Sequence, residues 1–223
     1  MKKLALLIAL VLFVLPFSAL AEEAYNPIGD EYTVLVNHDY MLDKKYVPDD
    51  LVKVDVKFKD AKIELRKEAA DALLQLFADA KEAGYNLIAA SGYRSYSRQA
   101  TIYYNKVKSM GKERAAKLSA PAGASEHQLG LAVDITCKAN KQYLNANFAK
   151  TDEGKWVTEH CYDYGFILRY KQEWEDVTGY AYEPWHIRYV GMEHAANIKE
   201  LDIPYEEYVE LYLGTVTATE DDE

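Results

Sequence analysis

The residues that could do chemistry in this 223-residue chain gather in two short stretches. One reads Ser125-Glu126-His127-Gln128-Leu129-Gly130-Leu131-Ala132-Val133-Asp134-Ile135, the other Glu183-Pro184-Trp185-His186-Ile187-Arg188. Together they supply two imidazoles and a carboxylate in His127, Asp134 and His186. Such a trio matches the protein ligands of a catalytic zinc site, with the fourth position left for water. One Zn2+ ion held there would lower the pKa of its bound water to about 7 and polarise a carbonyl, as amide hydrolysis at neutral pH requires. Glu183 is a second carboxylate beside the metal, placed to move protons as a general base.

A turn and two strands must position these groups. From Leu129 the first stretch alternates, with Leu129, Leu131, Val133 and Ile135 on one face and Gly130, Ala132 and Asp134 on the other. The large set can enter a core while the small set leaves room beside Asp134. His127 then arrives from the turn before the strand. In the second stretch Pro184 forbids a helical Glu-x-x-His arrangement. Residues three apart on a flat strand face opposite ways, so Glu183 sits on the preceding loop or a bulge turns it back towards His186.

These motifs, with Ser91-Gly92-Tyr93-Arg94-Ser95, resemble the VanY-type zinc D-alanyl-D-alanine carboxypeptidases, relatives of VanX dipeptidases and L,D-carboxypeptidases. The likeness extends to Asn37, to Tyr46-Val47-Pro48-Asp49-Asp50-Leu51 and to Tyr205-Glu206-Glu207-Tyr208, and so covers most of the chain. It implies the α+β zinc DD-peptidase (hedgehog-like) fold. It also implies catalysis by Glu183 and Arg94, and substrate binding by Arg94, Ser125, Tyr93 and Gln99. Arg94 could grip a carboxylate or hold the oxygen that gains charge in the transition state. Ser125 could equally cap the turn before His127. Trp185 could line the pocket or be core, and His38, His160 and His194 match no ligand motif.

The expected partner is a peptidoglycan stem peptide ending in D-alanine, and the expected reaction is removal of that residue. Three rivals stand beside D,D-cleavage. They are L,D-cleavage of tetrapeptide stems, an endopeptidase on the same scaffold, and a zinc-stabilised module that binds wall peptides without cutting them.

Around the site the pattern predicts one domain over residues 32–213, with helices packed on a small antiparallel sheet. Tyr32 to Asn37 reads as a short strand and Asn37 to Asp50 as a surface loop. Arg66 to Ala83 is the clearest helix, with Ala69, Leu73, Leu76, Phe77 and Ala80 on one stripe and Gly84 as terminator. Leu87 to Ala90 is a strand whose end carries the Arg94 loop, Gly92 permitting a tight turn there. Ser97 to Met110 is a second helix, followed by a connection over Lys112 to Gly123. Thr151 or Asp152 caps a helix ending at Gly165. Phe166 to Tyr170 and Tyr182 to Val190 read as strands, Lys171 to Thr178 as a connection, and Met192 to Leu201 and Tyr205 to Leu213 as short helices.

Residues 1–21 have the parts of a cleaved secretory leader: Lys2 and Lys3, an apolar run, and Ala19-Leu20-Ala21. Export to the cell wall or beyond is expected, with 22–31 a flexible arm and 214–223 an acidic disordered tail. A net charge of −10 without a basic stripe argues against a nucleic-acid partner; a monomer is expected. An anionic substrate would need local cations, of which Arg94, Arg98, Arg169 and Arg188 lie near the motifs. Cys137 and Cys161 could form a bridge in an oxidising compartment or remain buried thiols.

Overall fold

The computed structural model describes residues 31–213. The leader, the arm up to residue 30 and the acidic tail lie outside the described residues. Two short strands, β1 (Leu51–Lys53) and β2 (Glu64–Arg66), pair antiparallel and lead into α1 (Lys67–Glu82). The helix forms where the apolar spacing predicts it, burying Ala69, Ala70, Leu73, Leu76 and Ala80 on one stripe. The hairpin ahead of it is a feature the sequence reading missed. Its strands have three residues each, too few for alternation to register.

After α1 come β3 (Leu87–Ser91), α2 (Tyr96–Met110) and α3 (Lys112–Leu118). The last is a helix where only a connection was expected. A single 3-10 turn, Glu126–Leu129, precedes β4 (Ala132–Cys137). The chain continues through α4 (Asp152–His160), capped by the Thr151 hydroxyl, to β5 (Phe166–Leu168). The expected connection then contains a short helix, α5 (Glu175–Thr178). β6 (His186–Tyr189), α6 (Met192–Leu201), α7 (Tyr205–Tyr208) and a π turn complete the described chain.

The main sheet has four strands in the order β3-β4-β6-β5, all antiparallel. Its central strand β4 is buried along its whole length. Leu129, Leu131, Val133 and Ile135 belong to the hydrophobic core. On the opposite face Ala132, Asp134 and Thr136 are buried as well.

The Tyr32 to Asn37 segment is not a strand, which corrects the expectation. Three of its carbonyls accept from distant side chains. Arg188 donates to Tyr32 O and Val34 O, each at 2.9 Å, and the Tyr205 hydroxyl to Thr33 O at 2.5 Å. Cys137 and Cys161 are both buried free thiols, so the second of the two cysteine readings holds in this structure. Burial pushes the Cys161 thiol up to about 12.

Candidate active site

Asp134 and His186 meet because β4 and β6 pair in a register that sets them directly opposite one another. His186 Nδ1 lies 3.1 Å from Asp134 Oδ1. His127 enters from the 3-10 turn, its Nε2 3.3 Å from Asp134 Oδ2. Its other nitrogen, Nδ1, donates to the Gly92 carbonyl at 2.8 Å, which fixes the ring. One donor atom from each of the three buried residues lies within 4.8 Å of the others. Tetrahedral zinc, with bonds of about 2.0–2.1 Å, spaces its ligands by about 3.3 Å, so this donor set fits the ion.

Burial opposes charge on Asp134, yet His127 and His186 hold its carboxyl well below the usual range. Burial and the Arg94 charge push the His127 imidazole down, with Asp134 partly opposing, and so favour the neutral form that ligates metals. His186 behaves differently. Burial disfavours its protonation, but hydrogen bonds to Asp134 and Glu126 outweigh that and raise its pKa to about 9.

Arg94 stands at the rim of the same cluster. Its amide donates to His127 O at 3.0 Å, tying its loop to the turn that bears the imidazole. Its guanidinium donates to Ser91 Oγ at 2.7 Å and Gln99 Oε1 at 2.8 Å, and lies 3.7 Å from Asp134 Oδ2. Gly92 is required here for a reason other than the expected turn. A Cβ at this position would fall 2.6 Å from Glu64 O and 2.9 Å from Ile63 Cβ, so close approach of two backbones selects glycine.

Glu183 lies on the loop before β6, the first of the two arrangements open from sequence. Its amide donates to Tyr170 O, and its carbonyl accepts from His186 N, both at 3.1 Å. Burial raises its carboxyl to about 7; the His186 charge opposes the rise and Asp134 adds to it. The residue lines a cavity of about 210 Å³ together with Arg94, His127, Asp134 and His186. A carboxyl titrating near neutrality beside a cluster of metal-ligand type is suited to proton transfer.

The remaining candidates divide. Ser125 lines the cavity and makes no side-chain capping bond, so its hydroxyl can face a ligand. Trp185 lines the cavity as well. Gln99 does too, but its amide is already engaged. Beyond Arg94, its Nε2 donates to Ala120 O at 2.5 Å, and so the side chain braces the arginine. Tyr93 is not on the cavity wall. Its amide bonds Glu64 O, and burial together with the Glu64 charge raises its phenol pKa. Outside the cluster, His38 stacks on Tyr180, His160 meets Asp163 and His194 meets the Tyr208 hydroxyl.

Two residues read from sequence as cations for an anionic substrate have another place. Arg169 and Arg188 are wholly buried and cannot reach the cavity. Both donate to Glu126 Oε1, at 2.8 and 3.0 Å, while Glu126 Oε2 lies 3.2 Å from His186 Nε2. Glu206 closes the cluster, accepting from Arg169 at 2.6 and 2.9 Å. Sequence reasoning passed over Glu126. The available signal was Arg188, two residues after His186 and therefore on the same strand face, where a buried cation demands a buried carboxylate.

A ligand cluster from two paired strands and the turn before them, a carboxyl raised towards neutrality and a clamped guanidinium in one cavity suit a peptide hydrolase. Comparison with known proteins narrows the class. The VanY family model, described as D-alanyl-D-alanine carboxypeptidase, matches residues 62–192, and the chain belongs to that family. YodJ of Bacillus subtilis (strain 168) is 48% identical over 193 residues, covering 85% of this chain and 70% of YodJ. The solved LdcB LD-carboxypeptidase is 50% identical with a TM-score of 0.75, over 79% of this chain and 84% of LdcB. A mutant VanY D,D-pentapeptidase from a VanB-type resistance cassette, solved with Zn(II), is 32% identical. Its TM-score is 0.66, over 81% of this chain and 99% of that one. The expected α+β fold, with helices on small antiparallel sheets, is the one this chain shares with the two solved structures.

Proposed function

We propose that the protein is a zinc-dependent carboxypeptidase that removes a terminal D-alanine from peptidoglycan stem peptides. The observation that carries this reading is the convergence of His127, Asp134, His186, Glu183 and Arg94 on one cavity. His127 Nε2, the Asp134 carboxylate and His186 would hold one zinc ion, which when bound supplies an activated water and a polarised carbonyl. Glu183 takes the proton from the attacking water and delivers it to the departing D-alanine nitrogen. Arg94, fixed by Ser91 and Gln99, offers its fork to the peptide's carboxylate or to the oxygen that gains charge. The Ser125 hydroxyl supplies a hydrogen bond to the bound terminus.

D,D-cleavage of pentapeptide ends is supported by the family description. The 50% identity to LdcB supports a second reading, L,D-cleavage of tetrapeptides. A binding module without catalysis would need neither Glu183 nor Arg94 at the ligand cluster. We also propose export, on the strength of the leader pattern in residues 1–21.

Mass spectrometry of products from synthetic penta- and tetrapeptide stems tests the reaction, and a mature N-terminus at Glu22 in the exported fraction tests the leader. Free D-alanine, lost with a chelator and restored by zinc, is the expected outcome. The substrate consumed faster decides between D,D and L,D. Peptide binding without product would leave the non-catalytic module, and cleavage of internal bonds would favour the endopeptidase.

A further inference from the structure

Glu126 has no part in the chemistry above, yet it is a buried carboxylate in contact with a proposed ligand. Its side chain is fully enclosed, and its two oxygens do different things. Oε1 accepts from both Arg169 and Arg188, while Oε2 faces His186 Nε2 at 3.2 Å. An ionised carboxylate can only accept hydrogen bonds, so the nitrogen facing it must carry a proton. The opposite nitrogen, Nδ1, points at Asp134, itself a proposed ligand, so a proton on that side is the one zinc would displace.

We infer that Glu126 is a positioning residue. It holds the proton of His186 on Nε2, so that Nδ1 presents its lone pair to the metal centre, and Arg169 and Arg188 hold Glu126 in turn. The inference rests on the zinc reading above and deepens it. It makes the two histidines mirror images in their chemistry. His127 is anchored through Nδ1 by a neutral carbonyl and offers Nε2. His186 is anchored through Nε2 by an anion and offers Nδ1. The anionic anchor raises the basicity of the ligand it holds, an effect the Gly92 carbonyl supplies more weakly.

The geometry explains why glutamine cannot replace Glu126 here. All three of its contacts require an acceptor, and two of the donors are guanidinium groups. An amide has one acceptor oxygen. Whichever way it turns, its NH2 confronts either the imidazole N–H or the paired arginines. Glu126→Gln should therefore loosen or flip the His186 ring while changing almost no volume.

The test is zinc affinity, measured by competition with a chromophoric chelator on the purified protein, together with the His186 tautomer by 15N NMR of the zinc-loaded form. In the wild type, His186 should carry its proton on Nε2 and coordinate through Nδ1. Glu126→Gln should bind zinc about 10- to 100-fold more weakly. Unchanged zinc affinity in Glu126→Gln, even with a lowered melting temperature, would reduce Glu126 to a structural role and overturn the inference. So would a wild-type spectrum with the His186 proton on Nδ1. The spectrum decides alone should the variant not fold. Failure of the wild type to bind zinc at all would instead overturn the zinc reading, which keeps the two outcomes distinct.

Discussion

On the Nδ1 side of His186 the protein places groups with capacity left over; on the Nε2 side it matches charge with charge. The cavity side holds Glu183, whose carboxyl receives no hydrogen bond from a described side chain, and the Ser125 hydroxyl, which makes no capping bond. The enclosed side holds Glu126, Arg169, Arg188 and Glu206 in a cluster of short, charge-assisted bonds. Both sides bury charge, but they treat it oppositely. In the cavity, burial moves Glu183 towards neutrality, where it can exchange protons. In the cluster, two arginines overcome the same burial and keep Glu126 well below the usual carboxylate range. On the proposed reading, reactivity comes from incomplete pairing and rigidity from charge-assisted pairing.

If that division is right, substitutions on the two sides should fail differently. The largest effect belongs to Glu183→Gln, which should cut kcat about 10²- to 10⁴-fold while metal content and melting temperature hold. D-alanine release and zinc analysis on the same preparation would check it, and retained turnover would remove Glu183 from the chemistry. Across the divide, Glu206→Gln leaves Arg169 short of a partner and should cost about 3 kcal/mol of stability by denaturant unfolding. A stability unchanged within error would mean the enclosed cluster is not a structural unit.

Arg94→Lys loses the two-pronged fork and should lower kcat/KM about 10²-fold with stability nearly intact. A near-normal rate would make Arg94 peripheral. The pH profile sharpens the comparison further. Glu183 must be ionised to accept a proton, so activity should fall as pH drops through the pKa of its carboxyl. In the metal-free protein that carboxyl titrates at about 7. A bound dication favours the carboxylate, so the acid limb of kcat/KM should lie below that value and vanish in Glu183→Gln. The smallest effect is expected at Ser125. Removing one hydroxyl in Ser125→Ala should raise KM about 5-fold, the equivalent of one hydrogen bond of about 1 kcal/mol.

How much of this could be read in the sequence followed the range of the interactions. α1 was legible because its stripe of small and apolar residues repeats over four turns. The three ligand candidates were legible because two short motifs supply the donor types of a catalytic zinc site, and their proximity follows from the β4–β6 register. Gly92 was noticed for the wrong reason, since the backbone of Glu64 that it must clear comes from a separate strand. Gln99 was read as a substrate contact because nothing local shows that Ala120 and Arg94 already occupy its amide. The Tyr32 to Asn37 segment has a strand's composition, and nothing local shows that the distant Arg188 and Tyr205 take three of its carbonyls. Glu126 was hidden by the same distance: its arginine partners lie 43 and 62 residues further along the chain.

Those separations bear on when the protein can first work. Arg188 ties Glu126 to the carbonyl of Val34, 154 residues away, and Glu206 fastens Arg169 from near the end of the described chain. During synthesis the ribosome releases His127 and Asp134 long before the segment that locks them in place. A nascent chain halted before Glu206 would expose an unfinished ion cluster, so assembly of the centre should wait until that residue has emerged.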